Sequence, residues 1–305
     1  MKRELSIILF LICLSNIVCA PAHRIKPFTP NQDFKDYWYQ GKAELNRYEL
    51  EQARYGEIHK GDAILVFVKE DFLRDKQVKL EHGSSENALP VLKLNAIRKF
   101  ATGIYSYSIL TSVFTPFDLE DTPTLKVSNS NQDWCGHTYA QINFRRGKYE
   151  GVEHSYFEDE ADKKFRMDQT LLEDEIWTHI RLNPQSLPTG HIEILPGLYF
   201  IRLLHKDFEP QTAEAQLTTI VDSSLSNYPI NVYTVDYQSI DRKLRILFEQ
   251  NFPYSILGWE ETYKSGWGVR AKELTTRARR TNTLITDYWR RNSVADSTYR
   301  KMLGL

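Results

Sequence analysis

The chain has 305 residues, with 39 Lys and Arg against 40 Asp and Glu and a formal net charge of −1, so no overall field draws it to nucleic acid or to an anionic bilayer. A chain of this length buries a sizeable core without covalent staples. Its 17 Tyr, 15 Phe and 6 Trp beside 14 Gly exclude a disordered chain and favour pleated, half-buried sheet surfaces.

Lys2-Arg3 precedes a nearly unbroken apolar run from Leu5 to Val18, followed by Cys19-Ala20-Pro21-Ala22. That order is the charged and apolar pattern of a secretory signal over residues 1–20, and about 14 apolar residues fall short of the ~20 that cross a bilayer. Two processing routes follow. Cys19 sits where a bacterial lipoprotein is cut and acylated, and cleavage after Ala20 or Ala22 is the ordinary alternative. Cys13 and Cys19 belong to the leader, which leaves Cys135 alone in the folded domain without a disulfide partner. Residues 21–36, with Pro21, Pro27 and Pro30, read as a tether.

The domain proper, residues 37–305, begins with a strand from Tyr48 to Ile58, a turn at His59-Lys60-Gly61-Asp62 and a β-branched run Ala63–Val68. Lys76–Leu80 and Val91–Asn95 alternate on either side of the loop Gly83–Asn87, and Thr102–Phe117 is rich in Tyr, Ile, Thr and Val. His137–Phe144 alternates up to a turn at Arg145–Lys148, and Tyr149–Phe157 answers it. Ile176–Leu182 alternates and halts at Asn183-Pro184, while Glu193–Lys206 holds two apolar stretches around Pro196-Gly197. Two more strands, Asn231–Tyr237 and Lys243–Phe248, flank a polar turn, residues 270–286 give a final strand, and residues 287–303 read as a helix. Short strands at roughly 10-residue spacing without helix-length amphipathic stretches favour sheet over βαβ units. The expectation is an all-β protein with minor α: an antiparallel meander forming a curved open barrel or sandwich, with a C-terminal helix.

Asn129–His137 is the densest polar and aromatic cluster, with Trp134, Cys135 and His137 together and His154 on the next strand able to approach across the hairpin. A thiol nucleophile needs a base from a distant segment and an orienting third group, so a buried cysteine at a strand start, after an Asn/Ser turn over residues 129–132, is the favoured reading of Cys135. The acidic run Glu158–Asp162 lacks the glycine that shapes a calcium loop. Tyr254 and Trp259 in one aromatic motif and Trp267 in Gly266-Trp267-Gly268 either line an apolar groove or close the sheet. Residues 150–175 carry ten Asp and Glu against three Lys and Arg, and residues 264–301 reverse that balance, so the two segments face each other or serve separate partners. No G-x-S-x-G, H-E-x-x-H, Walker or G-x-G-x-x-G signature occurs. No catalytic residue, metal site or cofactor is assigned.

The stretches Arg54-Tyr55-Gly56-Glu57-Ile58-His59-Lys60-Gly61-Asp62-Ala63, Asp133-Trp134-Cys135-Gly136-His137, and Phe252-Pro253-Tyr254 through Trp259-Glu260-Glu261-Thr262 resemble an uncharacterised Bacteroidota envelope family, over nearly the whole chain. Its members are often labelled septum formation inhibitor Maf. That label implies a cytosolic α/β nucleotide pyrophosphatase opening on a Ser-rich, Arg-containing phosphate-binding motif, where this chain opens on a signal sequence. A looser likeness links the Gly61-Asp62 hairpin and the Tyr233–Tyr237 strand to periplasmic domains whose open antiparallel sheet curls around a helix, as in lipoprotein carriers. The expectation is an exported, lipid-anchored protein on the periplasmic side of the cell envelope. Cys19 would be its lipidation site, and it would bind a lipidic, glycan or protein partner without catalysis. The alternatives are an enzyme, either an envelope hydrolase or a Maf-type nucleotide pyrophosphatase, and a structural assembly factor of an envelope or division complex.

Overall fold

The computed structural model describes residues 30–119 and 122–305; the leader, Cys19 and most of the tether lie outside them. Among the described residues sixteen strands form one sheet, mostly antiparallel and not closed into a barrel. In chain order these are β1 (Ala43–Arg54), β2 (Glu57–Leu73), β3 (Val78–Lys79), β4 (Ala88–Thr102), β5 (Tyr105–Pro116), β6 (Lys126–Gln132), β7 (His137–Arg145), β8 (Lys148–His154), β9 (Asp162–Asp168), β10 (Leu171–Leu172), β11 (Gly190–Leu195), β12 (Gln211–Ile220), β13 (Ile230–Tyr237), β14 (Arg242–Glu249), β15 (Ile256–Ser265) and β16 (Lys272–Thr286). The helices are α1 (Gln32–Trp38), α2 (Glu173–Leu182), α3 (Leu198–Leu204) and α4 (Ser297–Met302).

The strand order runs β10-β11-β12-β13-β14-β15-β16-β1-β2-β4-β5-β6-β7-β8-β9. Its two edges, β9 and β10, are consecutive in the chain and joined by residues 169–170, so an extended link of three steps holds them within about 10 Å. The sheet therefore curls until its edges nearly meet, and Phe165 of β9 stacks on Phe208 across that region at 4.5 Å. Antiparallel pairing sorts every connection to one of two ends. The entry end holds α1, residues 250–255 and the C-terminal segment after β16. The far end holds the turns 55–56, 103–104, 133–136, 238–241 and 266–271, the loop 155–161, and α3.

Helix α2 runs through the interior from the far end to the entry end, and every one of its residues is buried. Ile176, Ile180 and Leu182 join a core made with Tyr48, Phe67, Leu94, Val113 and Trp259. Its charges are satisfied at both termini. Arg242 binds Glu173 and Glu261, while Arg181 takes both oxygens of Glu44 at 2.5 and 2.6 Å and donates to the Pro253 carbonyl at 2.8 Å. Acids in the first turn and Arg181 in the last also suit the helix dipole.

Several sequence expectations are corrected. The end of the supposed tether is helical: Asn31 caps α1 by accepting from the Phe34 amide, and α1 plugs the entry end through Phe34 against Phe117 and Phe252. The first hairpin turns at Tyr55-Gly56, and His59–Asp62 lies inside a 17-residue β2. Gly61 marks a close strand approach there, since a Cβ would sit 2.2 Å from the Lys99 carbonyl oxygen. Residues 176–182 are helix, and Pro196-Gly197 leads β11 into α3 instead of closing a hairpin. Residues 129–132 pair within β6. Of residues 287–303 only α4 is α-helical, preceded by two single 3-10 turns. Leu303 covers Val66 and Val68 on the outer face of β2, which explains the unbroken apolar run there: both of its faces are buried.

Candidate functional site

Five of the seven residues singled out for binding, Trp134, Cys135, His137, His154 and Trp267, lie at the far end. Tyr254 is at the entry end, packed against Phe252 at 5.8 Å. Trp259 is corrected to a core residue: it is fully buried and packs on Tyr48 at 5.0 Å and Trp177 at 5.2 Å. The interior that a carrier would need hollow is filled at this point by Trp259 and α2.

The two far-end turns that carry Tyr55-Gly56 and Gly266-Trp267 interlock through their glycines. Gly56 has φ +80° and Gly266 φ +89°, in the region open chiefly to glycine. A Cβ on Gly56 would meet the Arg270 carbonyl oxygen at 2.2 Å, and one on Gly266 would meet the Gly56 nitrogen at 2.9 Å. The Gly56 amide also donates to Ser265 Oγ at 3.2 Å. Clamped in this way, Trp267 leans on the Tyr55 ring at 5.2 Å while remaining 64 % exposed.

Behind these turns lies Arg54, 4 % exposed. Its guanidinium donates to the Leu203 carbonyl of α3 and to the hydroxyls of Tyr55 and Tyr107, and its carbon stands over the rings of Tyr55, Tyr107 and Trp267 at 4.2, 5.7 and 5.7 Å. Tyr105 donates to the Tyr55 hydroxyl at 2.8 Å, which lies 2.6 Å from that of Tyr107. Among the described residues no carboxylate lies within ion-pair distance of Arg54, and its buried Nε has no hydrogen-bond partner. Carbonyl, phenol and π faces hold this cation without neutralising it.

Arg54 lines a pocket of about 330 Å³ together with Lys206, Ser239, Asp241, Lys264 and Trp267. Neither lysine has a carboxylate partner among the described residues. The pocket shares Asp241 and Lys264 with a neighbouring depression of about 730 Å³.

The opposite flank of the far end is acidic. Arg202, at the end of α3, donates to Thr138 Oγ1 at 2.7 Å, stands over Phe157 at 4.6 Å, and has Glu160 and Asp133 at 3.7 and 4.0 Å. Glu160 meets His205 Nδ1 at 2.5 Å; burial opposes its ionisation, yet His205 and Ser155 hold its carboxyl below the ordinary value. Burial and the nearby Glu160 charge push Glu153 up to about 7.

Cys135 is exposed and free, in the turn between β6 and β7, which corrects the expected buried strand position. Desolvation and the Asp133 carboxylate raise its thiol above the usual value, the opposite of what activates a nucleophile. Gly136 presses on the Tyr156 ring, which a Cβ would meet at 2.8 Å, and Trp134 and Tyr156 are each 70 % exposed. His137 is exposed at the start of β7, and His154 pairs with Asp162 at 3.2 Å. Among the described residues no three His, Cys, Asp or Glu side chains gather as for a metal ion, and no helix is long and apolar enough to cross a membrane.

Sequence reasoning quoted Arg54-Tyr55-Gly56 without assigning it a role and overlooked Tyr105, Tyr107, Arg202, Lys206 and Lys264. Compared with protein-family models, curated proteins and solved structures, the chain matches none.

Proposed function

We propose that the chain is an exported cell-envelope protein, held to a membrane through its N-terminal segment, that binds a lipidic, glycan or protein partner at its far end and does no chemistry on it. The observation that carries this reading is the exposure of the rim residues Trp134, Tyr156 and Trp267 at the end opposite the one where the chain enters the fold, with Arg54 over the Trp267 ring and Tyr156 against Phe157, which Arg202 covers. Such large, apolar surfaces on a fixed frame mark interaction sites. The strand β1, about 36 Å long along its own path and tilted as strands of a curled sheet are, leads from one end to the other, which would hold the rim clear of an anchoring surface. The filled core favours a rim-bound partner over a molecule carried inside the sheet. A raised Cys135 thiol and an exposed His137 without an orienting group among the described residues give no support to a hydrolase or pyrophosphatase.

The test offers the full chain purified phospholipid vesicles, envelope polysaccharide and envelope protein fractions separately. Retention on one of the three is expected, with loss in the Trp134→Ala/Trp267→Ala double variant at unchanged thermal stability. Wild-type retention on none of them, or equal retention of the variant, would overturn the reading. The anchor is tested apart from this: palmitate label on the wild type and none on Cys19→Ala is expected, and unlabelled wild type removes the lipid tether.

A further inference from the structure

We infer that the pocket between α3 and the turns 238–241 and 266–271 takes an acidic sugar: a hydroxylated ring carrying an oxyanion, bound as part of a chain. This deepens the proposed far-end binding function and rests on it. Three cations line the pocket, Arg54, Lys206 and Lys264, against the single carboxylate of Asp241. None of the three is ion-paired among the described residues, although most charged side chains in the interior are tightly matched: Arg181 with Glu44, and Arg242 with Glu173 and Glu261. A cation desolvated like Arg54 and left unneutralised projects its field into the adjoining cleft, where low dielectric on one side strengthens it. The two exposed lysines supply mobile ammonium groups that can reach a bound oxyanion.

The remaining groups narrow the class beyond an anion. Trp267 rests one face on Tyr55 and remains 64 % exposed, a rigid platform for a flat apolar surface such as the C–H face of a sugar ring. Asp241 and Ser239 stand at the same pocket; a carboxylate there accepts hydroxyl hydrogens and would repel a ligand that was only negative. Cations, a stacking indole and a hydroxyl-accepting carboxylate together fit a ring with both hydroxyl and anionic substituents. Asp241 and Lys264 also border the wider depression lined by Asp236, Lys243, Thr262 and Glu273, where Lys243 is paired with Asp236, so a further sugar unit there would be held through its hydroxyls.

The experiment measures binding of the full chain, by isothermal titration calorimetry, to galacturonate octamer, to a neutral galactose oligomer of equal length and to inorganic phosphate. The galacturonate octamer is expected to bind at least tenfold tighter than the neutral oligomer, and phosphate to compete weakly. Lys206→Gln/Lys264→Gln, both at exposed positions, should cost tenfold or more, Trp267→Ala should abolish binding, and Trp267→Phe should retain most of it. If the neutral oligomer binds equally, or the lysine variant binds as wild type, the acidic-sugar inference fails. Failure of every sugar together with retention on vesicles or protein at the aromatic rim sinks the inference and leaves the proposed function standing; failure in both assays sinks both. If phosphate competes as strongly as the octamer binds, the site is a phosphate site and the sugar class is wrong.

Discussion

Replacing Arg242 with Met probes the interior that shapes the far end. The guanidinium is 1 % exposed and sits between Glu173 of α2 and Glu261 of β15, themselves 6 % and 3 % exposed, with the Tyr237 hydroxyl also on Glu173. Methionine keeps the volume and removes the only charge that faces both carboxylates at hydrogen-bond distance. Breaking a buried pair while leaving its partner in place costs about 3–5 kcal/mol, so Arg242→Met should lose roughly 4 kcal/mol at pH 8. Urea unfolding followed by tryptophan emission measures it. A deficit below about 1 kcal/mol would refute the claim that α2 is held by this charge cluster.

Asp174 is buried and accepts the Leu198 amide at 2.8 Å, and burial pushes its carboxyl up to about 7. The unfolded chain ionises it near 4, so stability falls as pH rises from ~4 to ~7 and is level above that; Asp174→Asn should raise the unfolding midpoint at pH 8 and leave it unchanged at pH 4, and an equal shift at both is the contrary result. Gly56→Ala places a Cβ 2.2 Å from the Arg270 carbonyl oxygen, so it should cost about 1–3 kcal/mol and weaken partner binding through Trp267; thermal melting and the retention assay check the two parts. Cys135→Ser should leave thermal stability within about 0.5 kcal/mol, and the native thiol should label with maleimide faster as pH rises. Protection from labelling until the protein unfolds would contradict its exposed position.

The antiparallel hairpins were legible because their strands alternate: β5 and β7 bury every second residue throughout most of their length, and β13 and β14 do so near their shared turn, while Ile230, Val232 and Leu247 further along pack a second cluster on the other face. Helix α2 was not. Ile176, Thr178, Ile180 and Leu182 fall on alternate positions and mimic a strand, and the charged residues between them are buried too, so no solvated face marks a helical period. A helix enclosed by a sheet on all sides hides the signal that sequence reasoning relies on. The leap from Pro196-Gly197 into α3 failed for a similar reason, since Leu198 to Leu203 is almost wholly buried. At the far end, Asp133–His137 and Gly266–Gly268 were recognisable one at a time from their aromatic and glycine content. Their joint site was not legible, because Gly56 meets Ser265 across 209 residues, and only the order β15-β16-β1-β2 brings those turns together. Arg54 resembled an ordinary strand-end cation, and its lack of a carboxylate partner is a property of the fold.

Hydrogen exchange of the full chain, with and without the envelope fraction that retains it, tests most directly whether the far end is the recognition surface. Slowed exchange confined to residues 54–56, 103–107, 133–136, 155–157, 238–241 and 266–270 is the predicted footprint. Slowed exchange at residues 250–255 or 287–305, with the far-end turns unchanged, would contradict it.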